Sequence, residues 1–236
     1  MSILRTSIEV ALRRERSAEE YRQLATGCLA EIERVQRTVE GLLTLARDAP
    51  EEERFTPVQP VCLSAVAAAA AAAVAPLAGE RGVVLETAVA PEVWVRGESD
   101  RLRLALVNLL DNAIRHTPAG RRVSLALTLA GGRARVMVAD QGSGVARGDR
   151  PFIFDRFYRG GADRGAPGAG GLGLAVVRWV VENHRGSVRL VDREGPGAVF
   201  EMLLPLLPAG ADAGSSSAVH PECDNRVAAA AAGGGS

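Results

Sequence analysis

The sequence predicts an α/β core preceded by a helical hairpin, and three observations carry that prediction. Apolar residues recur at helical spacing over residues 25–46 and 102–113. The apolar run RARVMVAD at 133–140 reads as a strand. Of 236 residues, 47% are apolar and 24% charged, enough to bury one good core beside a hairpin.

Residues 1–48 read as two helices, MSILRTSIEVALRRE and then a longer arm over 19–48. The second carries a seam at Ala25, Cys28, Ile32, Val35, Val39, Leu42 and Ala46, alternating three and four apart as in a coiled coil or bundle. At 1.5 Å per residue it spans about 45 Å, twice what the first arm can cover. Residues 49–57, acidic and closed by Pro57, read as a linker, and 58–207 as one domain. Residues 61–78, mostly alanine, read as that domain's first helix, ended by Pro76 and Gly79. RLRLALVNLLDNAIRH (101–116) is an amphipathic helix, and AVVRWVVENH (175–184) a further helix. Residues 208–236, rich in Ala, Gly and Ser, read as a disordered tail.

Composition sets limits on function. Lys plus Arg and Asp plus Glu both total 28, so no pull toward nucleic acid or a membrane surface is expected and no nucleic-acid partner is predicted. No run of about twenty strongly apolar residues and no signal peptide is read, so no membrane segment and a cytoplasmic location are expected. Cys28, Cys62 and Cys223 lack metal spacing and any pairing logic, which fits a reducing compartment.

Three blocks carry the chemistry: NLLDNAIRHT (108–117), DQGSG (140–144) and GLGLAVV (171–177). Asn108 and Asn112, four apart on a helix, point the same way. Carboxamide oxygens are hard, neutral ligands that suit Mg²⁺ when its other ligands are water and phosphate, and Arg115 adds a positive charge nearby. Asp140, at a strand end, can accept from an exocyclic amine, while Gly142 and Gly144 let backbone approach a flat ring or adopt positive φ. PGAGGLGL runs into a helix whose first N–H groups can take phosphate oxygens. Each block alone is more often a solvated face or a surface turn. Their fixed order, with FDRFYRG (154–160) between the second and third, points to a site for ATP and a divalent metal.

In that order the blocks resemble the catalytic, ATP-binding domain of sensor histidine kinases of bacterial two-component systems. NLLDNAIRHT is similar to the family's N box, DQGSG to its first glycine box, FDRFYRG to its F box, GAGGLGLAVV to its second glycine box and GPGAVFEMLLP (195–205) to its closing strand pair. The resemblance covers roughly residues 51–207. It implies an α+β fold, a two-layer α/β sandwich shared with type II topoisomerases and mismatch-repair ATPases, with ATP between the N-box helix and a lid. By resemblance, Asn112 is the Mg²⁺ ligand, Asn108 neighbours metal and phosphates, Arg115 contacts phosphate and Asp140 reads adenine. Gly142 and Gly144 shape the adenine pocket, His116 borders the base, Phe154 and Phe157 anchor the lid, and Gly171, Leu172 and Gly173 form its hinge. Related ATPases place a glutamate base where Asn108 stands. An amide takes no proton from water, so Asn108 and Arg115 serve phosphoryl transfer by positioning and charge neutralisation rather than hydrolysis.

The chain departs from the pattern at Gly170, where Ser or Thr is usual, at Ala169, where glycine is usual, and at Ala198, where Thr is common. The hairpin resembles the family's dimerisation and phosphoacceptor unit, through which a homodimer or heterodimer would form and a response regulator would be reached. The start SILRTSIEVALRR resembles the stretch just after the family's His-Glu-Leu-Arg-Thr-Pro segment. The histidines are His116, His184 and His220, and none matches the acceptor position. The hairpin is therefore expected to be truncated, leaving Val35, Val39, Leu42 and Leu43 without an intrachain partner. The leading expectation is a histidine kinase catalytic domain acting on a histidine of a partner chain. The alternatives are a non-catalytic ATP-binding protein and a sigma-factor-antagonising serine kinase, which the hairpin and the F box disfavour.

Overall fold

The structure, a computed structural model, describes residues 59–160, 171–192 and 195–207, together with Ser17. The chain divides into two compact units, Met1–Asp48 and Ala49–Ser236, and the described elements belong to the second. The expected hairpin, linker and tail, and lid positions Ala169 and Gly170, lie outside the described residues.

The elements run β1 (Gln59–Cys62), α1 (Leu63–Glu80), β2 (Val84–Val89), β3 (Trp94–Gly97), α2 (Ser99–His116), β4 (Arg122–Ala130), β5 (Arg133–Asp140), α3 (Gly173–Asn183), β6 (Ser187–Leu190) and β7 (Val199–Pro205). The main sheet has the order β2-β4-β5-β7-β6. β2 and β4 are parallel and the other neighbours antiparallel. β1 and β3 form a separate antiparallel pair. The helices pack on the mixed sheet, α2 lying between α1 and α3. The architecture is the expected α+β sandwich.

Strand alternation builds the sheet's half of the core. Leu125 faces Val138, which faces Phe200; Leu127 faces Val136, which faces Met202. These two rows cross three strands, and all six residues are buried. Against them α2 buries Leu102, Ala105, Leu106, Leu109, Leu110, Ala113 and Ile114, its three-and-four spacing giving one apolar stripe. Each buried leucine stabilises the fold by about 1.5–3 kcal/mol relative to exposure. On the other face, buried Glu201 accepts from Arg135 Nε (2.6 Å) and Arg189 Nε (2.5 Å), joining β5, β7 and β6.

α1 runs through Pro76 to Glu80 rather than ending at Pro76 and Gly79. Its stop is Gly82 at φ +64°: Gly82 N–H donates to Gly79 O and Val83 N–H to Ala78 O, the paired bonds of a Schellman ending. Pro76 lies inside the helix and, having no N–H, forfeits one helical bond. Among the described residues, α1 is the one helix long and apolar enough to cross a membrane by length and composition. Leu63, Val66, Ala67, Ala70, Ala71, Val74 and Ala78 are nevertheless buried in the domain. The 195–205 segment supplies one strand, β7, whose hairpin partner is β6 rather than a strand within that segment. Cys62 is disulfide-bonded, contrary to the expectation that the cysteines lack a pairing.

Candidate functional site

Asn108 and Asn112 lie on α2, both half-buried and one turn apart. Asn108 Nδ2 donates to Leu104 O at 2.9 Å, which fixes the amide and turns its oxygen outward from the helix. That oxygen meets α3: a Cβ built on Gly173 would lie 3.0 Å from Asn108 Oδ1. The first and third blocks therefore meet at a helix N-terminus, and glycine at 173 is what lets them approach so closely.

Arg115 is paired within its own helix. Its Nε and Nη2 donate to the two carboxylate oxygens of Asp111, the second at 3.0 Å. The hydrogen bond to Asp111 is the main cause of its raised pKa, and burial works against the shift. The pairing with Asp111 uses two of the five guanidinium N–H donors, so Arg115 can turn Nη1 to a phosphate or leave Asp111 altogether. The Arg115 carbonyl accepts from Arg81 Nη1. His116 is half-buried, and the next residue, Thr117, is buried with its hydroxyl donating to Ala113 O at 2.7 Å.

Asp140 closes β5 and is 4% exposed. Its Oδ1 accepts from Gly142 N–H at 2.8 Å and from Ala198 N–H at 3.1 Å, and its own N–H donates to Ala198 O. The carboxylate is thus held by the turn after β5 and by the start of β7. Gly142 and Gly144 serve the site for different reasons. A Cβ at Gly142 would fall 2.2 Å from His116 O, so close packing on the end of α2 excludes any side chain. Gly144 has φ +71° and faces Gly197 O, so it meets both a conformational and a steric demand.

The aromatic pair splits. Phe154 packs edge-on against buried Phe200, centroids 6.2 Å apart, and anchors its segment to the core. Phe157 does not: its ring is 63% exposed. Its backbone, at φ +63°, donates N–H to Gly171 O at 2.9 Å. Gly171, at φ +63°, lies so near that a Cβ would be 2.8 Å from the Phe157 carbonyl carbon. Phe157 and Gly171 are thereby held together by main chain, where a side-chain anchor was expected of Phe157. Tyr158 donates its hydroxyl to Asp149 at 2.7 Å and stacks near Phe152. Leu172 is 6% exposed and caps α3 without a side-chain hydrogen bond.

Sequence reasoning missed several residues that shape the site. A Cβ at Gly197 would lie 1.9 Å from Asp140 O, so Gly197 and Ala198 form the wall against which Asp140 is set. The Gly-Pro-Gly preceding β7 was the available signal. Asp111, as the partner of Arg115, was also missed. So was buried His184, whose Nε2 accepts from Glu98 N–H at the start of α2.

A family model described as "Histidine kinase-, DNA gyrase B-, and HSP90-like ATPase" matches residues 97–208. The sensor-like histidine kinase SenX3 of Mycobacterium bovis is 32% identical over 191 residues, 80% of this chain and 46% of that protein. The chain thus spans about half the length of such curated relatives. A solved structure of the mycobacterial sensor histidine kinase MprB is 33% identical, with TM-score 0.57, over 64% of this chain and 99% of that one. Full-length ShkA in complex with AMPPNP is 30% identical, with TM-score 0.62, over 82% of this chain and 40% of that one. The fold, the ordered boxes and these similarities agree: the chain belongs to the sensor histidine kinases, and it carries their ATPase-type catalytic domain.

Proposed function

We propose that this domain binds Mg²⁺-ATP between α2 and the start of α3 and transfers the γ-phosphoryl group to a histidine of a protein partner. The observation that carries the reading is the approach of Gly173 to Asn108 Oδ1. It sets a helix N-terminus, whose Leu172 cap leaves the first amides without a side-chain acceptor, beside a fixed carboxamide oxygen. Helix amides bind phosphate oxygens. The donor set suits a hard cation, since Asn112 offers a neutral oxygen. Mg²⁺, when bound, neutralises phosphate charge.

Asp140 accepts the exocyclic amine of adenine, and Gly142 and Gly144 keep side chains away from the ring. Asn108 orients without abstracting a proton, so water is not activated and ATP waits for its acceptor. Arg115 adds charge near the phosphates when it exchanges Asp111 for them. The acceptor imidazole lies on a helical hairpin of the family's kind, and residues 1–48 serve pairing with a protein partner. A response regulator then takes the phosphoryl group in the cytoplasm.

Calorimetry tests the nucleotide assignment. Asp140→Ala weakens ADP and ATP alike, and Asn112→Ala removes the dependence of ATP binding on Mg²⁺. Equal binding by wild type and both variants refutes it. Transfer is tested by mixing the chain with a separately made helical hairpin that carries a histidine, using labelled ATP. Acid-labile label on the hairpin is expected, whereas its absence despite proven ATP binding favours a non-catalytic binding protein.

A further inference from the structure

His184 stands at the C-terminal end of α3, 3% exposed, with both ring nitrogens engaged. Nδ1–H donates to Val180 O at 2.7 Å, and Nε2 accepts from Glu98 N–H at 3.1 Å. These partners fix the neutral tautomer, because one nitrogen meets an acceptor and the other a donor. The ring also lies on Gly97, where a Cβ would fall 2.5 Å from His184 Cδ2. Glycine at the end of β3 is therefore what allows the imidazole to reach the N-cap of α2.

α2 and α3 thus touch at two levels. The N-cap of α2 meets the end of α3 through Glu98 and His184, and the middle of α2 meets the start of α3 through Asn108 and Gly173. The helices are antiparallel, and the two contacts lie about 15 Å apart along α2 and about 17 Å along α3. A helix is stiff along its axis, so fixing one end of α3 fixes the other.

We propose that His184 is a positioning residue for nucleotide binding: its neutral imidazole, bridging the Val180 carbonyl and the Glu98 amide, sets the axial register of α3 on α2 and so holds Gly173 at Asn108. The inference rests on the nucleotide reading above. Protonation of Nε2 would set two N–H groups against each other at Glu98 and release the register. The charged groups acting on the ring are Glu98 and Arg101 of α2. Arg101 lies over the Trp179 ring of α3 and pairs with Glu98. Burial, the largest influence, holds the histidine pKa below its ordinary value, so the bridge is intact at neutral pH and is lost on acidification.

The test uses ADP titrations of the full chain at pH 7.5 and at a pH below the His184 titration midpoint measured by NMR, with thermal unfolding followed in parallel. His184→Gln keeps an acceptor where Nε2 stands and does not titrate; His184→Asn keeps the donor to Val180 O but is too short for Glu98. At pH 7.5 the Gln variant should bind within about twofold of wild type and the Asn variant about fivefold more weakly. Between the two pH values wild type should lose about twofold more affinity than the Gln variant, whose own change reports the titration of ADP. Equal affinities of the two folded variants, or identical pH courses for wild type and Gln, would overturn the proposal. Should the Asn variant not fold, the pH courses decide alone. Absence of ADP binding by wild type at any pH would instead overturn the nucleotide reading itself.

Discussion

The α-carbon of Gly142 lies against the main-chain carbonyl of His116, so near that a Cβ at 142 would fall 2.2 Å from that oxygen. The contact joins the turn after β5 to the last residue of α2 and brings Asp140 beside the N-box helix. A main-chain oxygen cannot swing aside as a side chain can. Gly142→Ala should therefore lower stability by about 1–3 kcal/mol, read as a shift of the urea midpoint. Gly148→Ala, with nothing within 4 Å of its Cβ position, should leave the midpoint nearly unchanged. Matching midpoints for the two variants would remove the contact from the account.

Gly197 makes a harsher demand on the other side of Asp140. It combines φ +90° with a Cβ position 1.9 Å from Asp140 O. Gly120, at φ +77° with open space around it, isolates the conformational part of that cost. Gly120→Ala should cost about 1–2 kcal/mol from left-handed backbone alone. Gly197→Ala should cost clearly more and also weaken ADP binding, because Asp140 must move. Similar losses in the two variants, with ADP affinity intact, would show that the Gly197 wall does not position the carboxylate.

Phe154 and Phe157 should separate in a stability measurement. Phe154 packs on buried Phe200, whereas the Phe157 ring is 63% exposed. Phe154→Ala should lose about 1–3 kcal/mol, less than a fully buried phenylalanine, and Phe157→Ala less than about 0.5 kcal/mol. Thermal unfolding of the two variants distinguishes them, and a larger loss at 157 would contradict the placement.

Glu201 should contribute to the acid sensitivity of the domain. Its pKa is lowered first by the hydrogen bond from Arg189, against burial, and then by that from Arg135. With the folded value below the unfolded one, its contribution is complete above the usual carboxylate range and is lost as pH falls through the folded value. Glu201→Gln should cost about 1–2 kcal/mol at pH 7, and its stability should fall less steeply than that of wild type below about pH 4.5. Parallel acid profiles from urea unfolding would show that the carboxylate is not what responds.

The N-box helix, the strand ending at Asp140 and the helix after Gly173 were legible in the sequence, because residue spacing alone fixes which face of a helix or strand is apolar. The alanine-rich helix was legible too, but its end was not. Pro76 and Gly79 look like terminators, yet Gly82 at φ +64° closes the helix, and only the backbone bonds beyond it reveal that.

What the sequence determined by itself was the set of elements and the order of chemistry-bearing blocks, since both depend on short-range spacing and residue type. Tertiary structure alone decided which partner each polar group took. Asp140 bonds Ala198 across 58 residues and Glu98 bonds His184 across 86, pairings that no local periodicity encodes. The same holds for Phe157, whose ring is exposed while its backbone holds Gly171. A motif specifies which groups are available; close packing of main chain at Gly97, Gly142, Gly173 and Gly197 determines which of them meet.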